Sequence, residues 1–308
     1  MKDRTVGFIG LGIMGRPIAL NLCKAGVPLL VYDVNQSACE IAVQNGARDA
    51  SLQEIGSQCD IIFLMVPNGQ VVESILFGEG NLSAYLKKDS IICDMSSISG
   101  MQAVTFSRRI VQQTQSSYMD APVSGGEQKA VSGELTIMAG GSEHQFQTLL
   151  PYFQVIGKIY IHVGSVGKGC VMKLCNQIVV TANIAAICES VAFAEVSGID
   201  LETLFYVLKN GSASSTMLNN RAQKLLEREF QPGAAIQIHL KDIKNIIDTA
   251  QEEGGTLPLT STIKFILEEH CRQGFGHLDS SSLLLYFEQQ YQQFSNPLEQ
   301  AETADTGK

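Results

Sequence analysis

Several features that mark other classes of protein are absent from this sequence. None of the eight cysteines forms a Cys-x-x-Cys pair, which argues against a zinc ribbon or a thioredoxin-type redox site. Most of these cysteines lie inside apolar runs, where buried reduced thiols are expected. The five histidines are dispersed without the spacing of metal ligands, so we predict no metal site. There is no tryptophan either, so the fluorescence of a bound cofactor would be measured without that background.

Basic sequence blocks are also lacking. The 308 residues carry a formal net charge of −9, with no basic stripe and no arginine-rich segment. We therefore expect no nucleic-acid partner. Because the overall field of an acidic protein repels anions, an anionic substrate would have to be bound by local groups.

Signals for export and for membrane insertion are missing as well. The N-terminus, MKDRTVGFIGLG, has no separate apolar region followed by a small-residue cleavage site, so we expect a cytoplasmic location. The apolar stretch 174–188 is shorter than the roughly 20 residues of a membrane span. Asn176, Gln177, Thr181 and Asn183 also interrupt it. It is expected to be a buried helix of a soluble protein, not a membrane anchor.

Residues 5–165 alternate between apolar runs of strand length and segments of helix length. The runs are TVGFIG (5–10), PLLVYD (28–33), DIIFLMV (60–66), SIICDM (90–95), LTIMAG (135–140) and KIYIHVG (158–164). Helical segments lie near 14–25, 36–46, 69–76 and 100–114. Continuous apolar strands that alternate with helices predict a parallel, doubly wound sheet covered on both faces.

The strand signals stop after residue 165. Helical patterns then cover 169–197, 200–209, 215–228, 236–253, 259–273 and 279–294. Strands first and helices afterwards predict two domains, an α/β dinucleotide-binding domain at 1–165 and an all-α domain at 166–294. We expect the polar tail at 295–308 to be disordered.

The first strand leads into a glycine-rich loop. In GFIGLGIMG, Gly10, Gly12 and Gly15 form a Gly-x-Gly-x-x-Gly pattern that follows a strand and opens a helix. In dinucleotide-binding proteins these glycines allow a tight turn, the approach of a pyrophosphate, and close packing of helix on strand. The alternative is a glycine-rich turn without a ligand. The residues predicted to bind the dinucleotide here are Gly10, Leu11, Gly12, Ile13, Met14 and Gly15.

The second strand ends at Asp33, which lies 23 residues after Gly10. This is close to the spacing of about 20 residues at which an acidic residue binds the ribose hydroxyls of NAD. The negative charge would repel a 2′-phosphate, and the next residues, VNQS, offer no arginine to hold one. We therefore expect NAD(H) to be preferred over NADP(H).

Small and polar residues follow two of the later predicted strands, in MVPNG (65–69) and in DMSSIS (94–99), and they occur again in DAPVSGG (120–126). In an open α/β sheet the ligand crevice lies at the carboxyl ends of the strands, but the same residue types also favour ordinary turns. Ser124, Gly125 and Gly126 could direct backbone N–H groups at a carboxylate, or form a flexible loop.

A lysine and two amides share one face of the long helix that begins near residue 169. Lys173 precedes Asn176 by three residues and Gln177 by four, so the three side chains are neighbours. Burial would lower the pKa of Lys173 and make it a proton donor for an alkoxide formed by hydride transfer. The alternative is a lysine that extends into solvent beside two capping amides. A second lysine, Lys241, could reach the same site or pair with Asp242.

Four motifs together resemble the β-hydroxyacid dehydrogenase family. They are GFIGLGIMG, DAPVSGG, GKGCVMKLCNQ and HLKD, and the resemblance covers about residues 5–292. It implies a Rossmann domain, an all-helical second domain and an active cleft between them. Asn176-Gln177 and REFQPG are similar to the members that reduce tartronate semialdehyde to glycerate, so that reaction on a small carboxylate substrate is expected.

The resemblance also implies roles for individual residues. It makes Lys173 the catalytic acid and base and places Asn176 and Gln177 at the substrate. Lys241 would lie near substrate and nicotinamide. The carboxylate-binding loop would be formed by Ser124, Gly125 and Gly126, and further dinucleotide contacts by Val66, Pro67 and Ser97. Members of the family usually form homodimers or homotetramers through the helical domain.

Two positions depart from the family pattern. Gly100 stands where a proline is usual, and Ala234 where an aromatic residue is common. These departures leave the oxidation of 3-hydroxyisobutyrate or another β-hydroxyacid as an alternative reaction. A non-catalytic binding module of the same fold is a remote alternative, because such proteins lose the catalytic lysine, which is present here as Lys173.

Overall fold

The computed structural model describes residues 4–231 and 234–291. The chain divides into two compact units between Leu174 and Cys175. The predicted domain boundary near residue 165 stays a prediction, and the predicted disordered tail at 295–308 lies outside the described residues.

The first unit is built on a nine-stranded sheet. Its strands are β1 (Val6–Ile9), β2 (Leu29–Tyr32), β3 (Arg48–Asp49), β4 (Ile61–Leu64), β5 (Ile91–Asp94), β6 (Ser117–Asp120), β7 (Val123–Ser124), β8 (Leu135–Gly140) and β9 (Gly157–Gly164). The order is β3-β2-β1-β4-β5-β6-β8-β7, and β9 pairs with β8. The first six strands are parallel. β8 runs antiparallel to β6 and β7 and parallel to β9.

Helices connect these strands and cover both faces of the sheet. They are α1 (Gly15–Lys24), α2 (Gln36–Gln44), α3 (Leu52–Gln58), α4 (Gly69–Phe77), α5 (Gly100–Gln113), α6 (Gly126–Ser132) and α7 (Glu143–Ile156). Within β1, Phe8 packs in the cluster that contains Ile18 of α1. Its neighbour Ile9 packs in the opposite cluster with Val72 of α4. This alternation follows from the period of two along a strand, and it confirms the predicted doubly wound α/β class.

Three short strands and three helices were not predicted. β3 and β7 have only two residues each, and β6 (SYMD) is a short run that ends in an acidic residue. α7 contains Pro151, a residue that disfavours helix interiors. α3 and α7 do carry start signals, because Ser51 and Ser142 each form a capping box with the residue three positions later.

The second unit is helical in the described residues, as predicted. α8 (Lys168–Val196) enters it from the first unit and is followed by α9 (Leu201–Asn210), α10 (Thr216–Leu226), α11 (Ile236–Glu252) and α12 (Pro258–His270). A last helix, α13, covers 283–291. Asp279 has no exposed surface; its carboxylate lies 3.2 Å from Arg221 Nη1 and 3.3 Å from Lys224 Nζ. Because both cations hold it, this buried carboxylate is compensated.

By length and composition alone, α8 could cross a membrane. Its buried side chains instead take part in the packing of the helical unit. Cys188 Sγ lies 3.9 Å from the carbonyl oxygen of Ser281, and Val191 and Ala192 are buried as well. This packing is that of a core helix in a soluble fold.

Candidate active site

The three glycines of the first loop have different surroundings. Gly10 has φ +96°, and a Cβ there would lie 2.9 Å from Val66 Cγ1. A Cβ on Gly15 would collide with the carbonyl oxygen of Gly10. A Cβ on Gly12 would meet nothing within 4 Å. Gly12 therefore borders open space, which is the requirement for a phosphate to approach the backbone at the start of a helix.

Asp33 is tied directly to this loop. Its Oδ2 accepts a hydrogen bond from Leu11 N at 2.5 Å, and its Oδ1 accepts one from Asn35 N at 2.7 Å. A carboxylate has about four acceptor positions, so both oxygens keep capacity for the hydroxyls of a ribose. The residues present thus fit a dinucleotide, and the preference for NAD(H) over NADP(H) stays a prediction.

A hydrogen-bonded chain links the carboxyl ends of β4 and β5. Val66 N donates to Ser96 Oγ at 3.0 Å, and Ser96 N donates to Asp94 Oδ1 at 2.8 Å. Tyr118 Oη donates to the other Asp94 oxygen at 2.7 Å. Burial raises the pKa of Asp94 to about 6. These contacts fix the loops that carry the predicted cofactor residues Val66, Pro67 and Ser97, whose own roles stay predictions.

The Ser124-Gly125-Gly126 segment runs from the last residue of β7 to the first residue of α6. Gly125 has φ +141° and Gly126 φ +69°, conformations that favour glycine. A Cβ on Gly126 would again meet nothing within 4 Å, so this backbone is open on one side. The assignment of the segment as a carboxylate-binding loop stays a prediction.

Lys173, Asn176 and Gln177 lie within α8, as predicted. Lys173 and Asn176 are half-buried and Gln177 is buried. Asn176 Nδ2 donates to Gln177 Oε1 at 3.1 Å. The roles of these three residues in catalysis and substrate binding stay predictions.

Gln177 also contacts a carboxylate that sequence analysis considered only as a partner of Lys241. Gln177 Nε2 donates to Asp242 Oδ2 at 2.8 Å, and Lys241 Nζ lies 3.3 Å from Asp242 Oδ1. Asp242 is 4% exposed. Of the two interpretations of Lys241, the structure bears out the pairing with Asp242, while a role near the nicotinamide stays a prediction. The network thus runs from Asn176 through Gln177 and Asp242 to Lys241.

Two protein-family descriptions match consecutive parts of the chain. Residues 5–167 match the family described as the NAD binding domain of 6-phosphogluconate dehydrogenase. Residues 167–287 match the family described as NAD-binding of NADP-dependent 3-hydroxyisobutyrate dehydrogenase. The chain is 38% identical over 279 residues to 2-hydroxy-3-oxopropionate reductase of Escherichia coli, covering 91% of this chain and 95% of that protein. It belongs to the β-hydroxyacid dehydrogenase family.

Other relatives in this family carry different names. The chain is 32% identical over 290 residues to 2-(hydroxymethyl)glutarate dehydrogenase of Eubacterium barkeri, covering 94% of this chain and 96% of that protein. A crystal structure of 3-hydroxyisobutyrate dehydrogenase from Salmonella typhimurium superposes with a TM-score of 0.84 at 30% identity, covering 92% of this chain and all of the other. This β-hydroxyacid dehydrogenase is therefore an NAD(P)-binding oxidoreductase.

The two departures from the family pattern have defined surroundings in this dehydrogenase. A Cβ on Gly100 would lie 3.0 Å from the carbonyl oxygen of Gly167 and 3.0 Å from Val171 Cγ2, so Gly100 allows a close approach. Ala234 N donates to Asp279 Oδ2 at 3.2 Å, which fixes the backbone at this position. The preceding Pro232 and Gly233 lie outside the described residues.

Within residues 4–231 and 234–291, no group of three or more His, Cys, Asp or Glu side chains could hold a metal ion.

Proposed function

We propose that this β-hydroxyacid dehydrogenase reduces tartronate semialdehyde (2-hydroxy-3-oxopropionate) to glycerate with NADH. The observation that carries the proposal is the helical face of α8 on which Lys173 precedes Asn176 and Gln177 by one turn. The name of the Escherichia coli relative, with which 38% of residues are identical, supports this substrate.

The reaction needs a proton at the substrate oxygen. When bound, the reduced dinucleotide supplies a hydride to the aldehyde carbon. The carbonyl oxygen then carries the electron pair of the former double bond, and the Lys173 ammonium donates a proton to it. Neutral Lys173 regains its proton from solvent. In the oxidative direction, neutral Lys173 accepts the proton of the hydroxyl group.

Two further groups have roles in this proposal. Asn176 orients the reacting oxygen by a hydrogen bond, because it lies one turn after Lys173 on α8. The backbone of Ser124, Gly125 and Gly126 binds the substrate carboxylate, which suits a chain whose overall charge repels anions. Asp33 favours NADH over NADPH because its carboxylate would face a 2′-phosphate.

The oxidation of 3-hydroxyisobutyrate or another β-hydroxyacid is the alternative reaction. It is favoured by the TM-score of 0.84 with a structure named 3-hydroxyisobutyrate dehydrogenase. The same residues would carry out that chemistry, so only the substrate separates the two candidates.

Self-association through α8 is part of the same proposal. Apart from Lys168, the exposed residues of this helix recur at intervals of three, four or seven, so they lie along one face. They are Met172, Cys175, Val179, Ala186, Glu189, Phe193 and Val196. Val179, Phe193 and Val196 are 60%, 60% and 62% exposed. A nearly uncharged stripe along a 29-residue helix suits a symmetric contact with a second copy.

All eight cysteines are free, which suits a reducing cytoplasm.

Initial rates on a panel of substrates test the reaction. We expect the highest kcat/KM with NADH and tartronate semialdehyde, and turnover to be lost in Lys173→Ala while NADH binding, followed by its fluorescence, is nearly unchanged. A strong preference for 3-hydroxyisobutyrate over glycerate in the oxidative direction would establish the alternative reaction. Turnover that survives in Lys173→Ala would exclude the mechanism. Sedimentation of a Val179→Glu/Phe193→Glu variant tests the α8 contact and should show monomers.

A further inference from the structure

A buried carboxylate holds the beginning of the helix that carries Lys173. Asp120, the last residue of β6, has no exposed surface. Its Oδ1 accepts a hydrogen bond from Gly167 N at 2.7 Å, and its Oδ2 accepts one from Cys170 N at 2.8 Å. The first N–H groups of a helix have no partner within the helix. Here an acceptor from the sheet, 50 residues before Cys170 in the chain, satisfies two N–H groups at this end of α8.

The backbone around this carboxylate is packed without room for side chains. A Cβ on Gly169 would lie 2.8 Å from Asp120 Oδ2 and 3.0 Å from Gly140 N. A Cβ on Gly140 would lie 2.7 Å from Asp120 Oδ1 and 2.7 Å from Gly169 N. The first turn of α8 therefore lies directly on the ends of β6 and β8. Interiors packed at this density transmit a displacement and do not absorb it.

A second contact fixes the same turn from the side of α5. Gly167 has φ +90°, and a Cβ there would lie 2.8 Å from the carbonyl oxygen of Gly100. Gly100 begins α5, directly after the loop that contains Ser97. The start of α8 is therefore held against the sheet by Asp120 and against α5 by two glycines.

We propose that Asp120 is a positioning residue for catalysis, which sets the place of Lys173 by holding the first turn of α8. Lys173 follows Cys170 by three residues, or about 4.5 Å along the helix axis. A hydrogen-bonded helix moves as a unit over such a distance, so a shift of the first turn moves Lys173 by a similar amount. The inference rests on the proposed function, in which Lys173 transfers the proton.

Only an ionised carboxylate can serve both N–H groups. An asparagine at this position would offer one oxygen and one NH₂ group. The NH₂ group would face either Gly167 N or Cys170 N, so two donors would oppose each other and one bond would be lost. The carboxylate also suits the positive end of the α8 dipole. The Asp120→Asn variant keeps the size of the side chain, removes its charge and loses one of these bonds.

The experiment compares Asp120→Asn with wild type on the substrate that the wild-type enzyme turns over. We expect kcat to fall by roughly 10²-fold, as for a catalytic group displaced by about 1 Å, with the dissociation constant of NADH changed less than about threefold. Leu82→Ala is the control for lost stability, because Leu82 is fully buried in a short 3₁₀ helix that carries no site residue. A kcat within twofold of wild type in Asp120→Asn would overturn the proposal. The same loss of kcat in Leu82→Ala would overturn it too.

Amide hydrogen exchange in the wild-type protein supplies a second measurement that does not depend on folding of the variant. We expect the N–H groups of Gly167 and Cys170 to exchange as slowly as those of the sheet interior. Fast exchange at both would overturn the proposal. Hydrogen exchange does not depend on turnover, so it tests the positioning role of Asp120 separately from the proposed function. Inactivity of the wild type on the whole panel of substrates would contradict the proposed function instead.

Discussion

Gln177 on α8 donates an amide hydrogen to the carboxylate of Asp242 on α11 across 2.8 Å, although the two residues are 65 positions apart in the sequence. The bond fixes which end of the Gln177 amide faces Asp242. The oxygen of that amide is therefore the end that accepts from Asn176. The other oxygen of the Asp242 carboxylate lies 3.3 Å from Lys241 Nζ.

Gln177→Glu should disrupt this network because a carboxylate at position 177 would face the Asp242 carboxylate with no hydrogen to donate. We expect kcat to fall by roughly 10²-fold because Asn176 and Lys241 lose their orientation. Activity should recover partly as the pH falls, because two close carboxylates then share one proton. The measurement is a pH profile of kcat for wild type and variant.

The double variant Gln177→Glu/Asp242→Asn supplies the matched control. It restores one donor and one acceptor with the net charge of the wild type, so we expect kcat to return to within about tenfold of wild type. Gln251→Glu makes the same change at an exposed position of α11 and should have no effect. A double variant no better than Gln177→Glu would mean that the hydrogen bond does not orient the site.

Asp33→Asn should shift the cofactor preference towards NADPH. The uncharged amide no longer repels a 2′-phosphate, and it hydrogen-bonds the ribose hydroxyls less strongly than a carboxylate does. Its single oxygen also keeps only one of the two backbone bonds, from Leu11 N or Asn35 N. We expect kcat/KM with NADH to fall about tenfold and the ratio of NADPH to NADH activity to rise by more. Asp49→Asn removes a charge from the neighbouring exposed strand β3 and should leave the ratio unchanged. An unaltered ratio in Asp33→Asn would exclude Asp33 as the discriminating residue.

The part of this site that the sequence predicts is the part built from local patterns. The glycine loop and Asp33 are predictable because consecutive residues form the strand, turn and helix that position them. Lys173, Asn176 and Gln177 are predictable as one face because helical spacing alone brings them together. The helices of the second unit follow from the same periodicity.

Contacts between distant segments could not be predicted in this way. Asp94 and Asp120 stand in segments that the sequence singles out, but nothing local shows that one accepts a hydrogen bond from Tyr118 Oη and the other from the start of α8. Both are register partners on neighbouring strands, a relation that only the sheet order reveals. The same holds for Gln177 and Asp242. The strand β6, which carries Asp120, was itself missed because it is short and half polar.

Asp94 should make the stability of the protein depend on pH in a defined direction. Burial raises the pKa of Asp94 to about 6 from 3.8, so the folded state holds this proton more tightly than the unfolded state. The resulting stabilisation is fully present below pH 3.8 and is lost as the pH rises through 6. Asp94→Asn keeps an acceptor for Ser96 N and removes this titration. The free energy of unfolding of the variant should exceed that of wild type by at most about 3 kcal/mol above pH 7.

Urea unfolding of both proteins between pH 4 and pH 8 measures this difference. The free energy of unfolding of Asp94→Asn minus that of wild type should approach zero near pH 4 and grow as the pH rises. Groups that titrate alike in both proteins cancel in this difference. A difference that is constant with pH would contradict the raised pKa. One that grows as the pH falls would show that the carboxylate is stabilised and its pKa lowered.

Gly12→Ala and Gly15→Ala should separate cofactor binding from folding within one loop. A methyl group on Gly12 enters open space, so the free energy of unfolding should change by less than about 1 kcal/mol. The same methyl group occupies the approach of the pyrophosphate, so the dissociation constant of NADH should rise at least tenfold. A methyl group on Gly15 meets the carbonyl oxygen of Gly10 and the ring of Phe8. That variant should lose roughly 1–3 kcal/mol of stability through overpacking.

Fluorescence titration with NADH and urea unfolding on the two variants give the two quantities independently. Because the chain contains no tryptophan, the NADH signal is measured without interference from that residue. If Gly12→Ala bound NADH as tightly as wild type, the pyrophosphate could not approach the backbone at this glycine. The open space beside it would then face another part of the ligand, and Asp33 would be the one group of this loop region that contacts the dinucleotide as predicted.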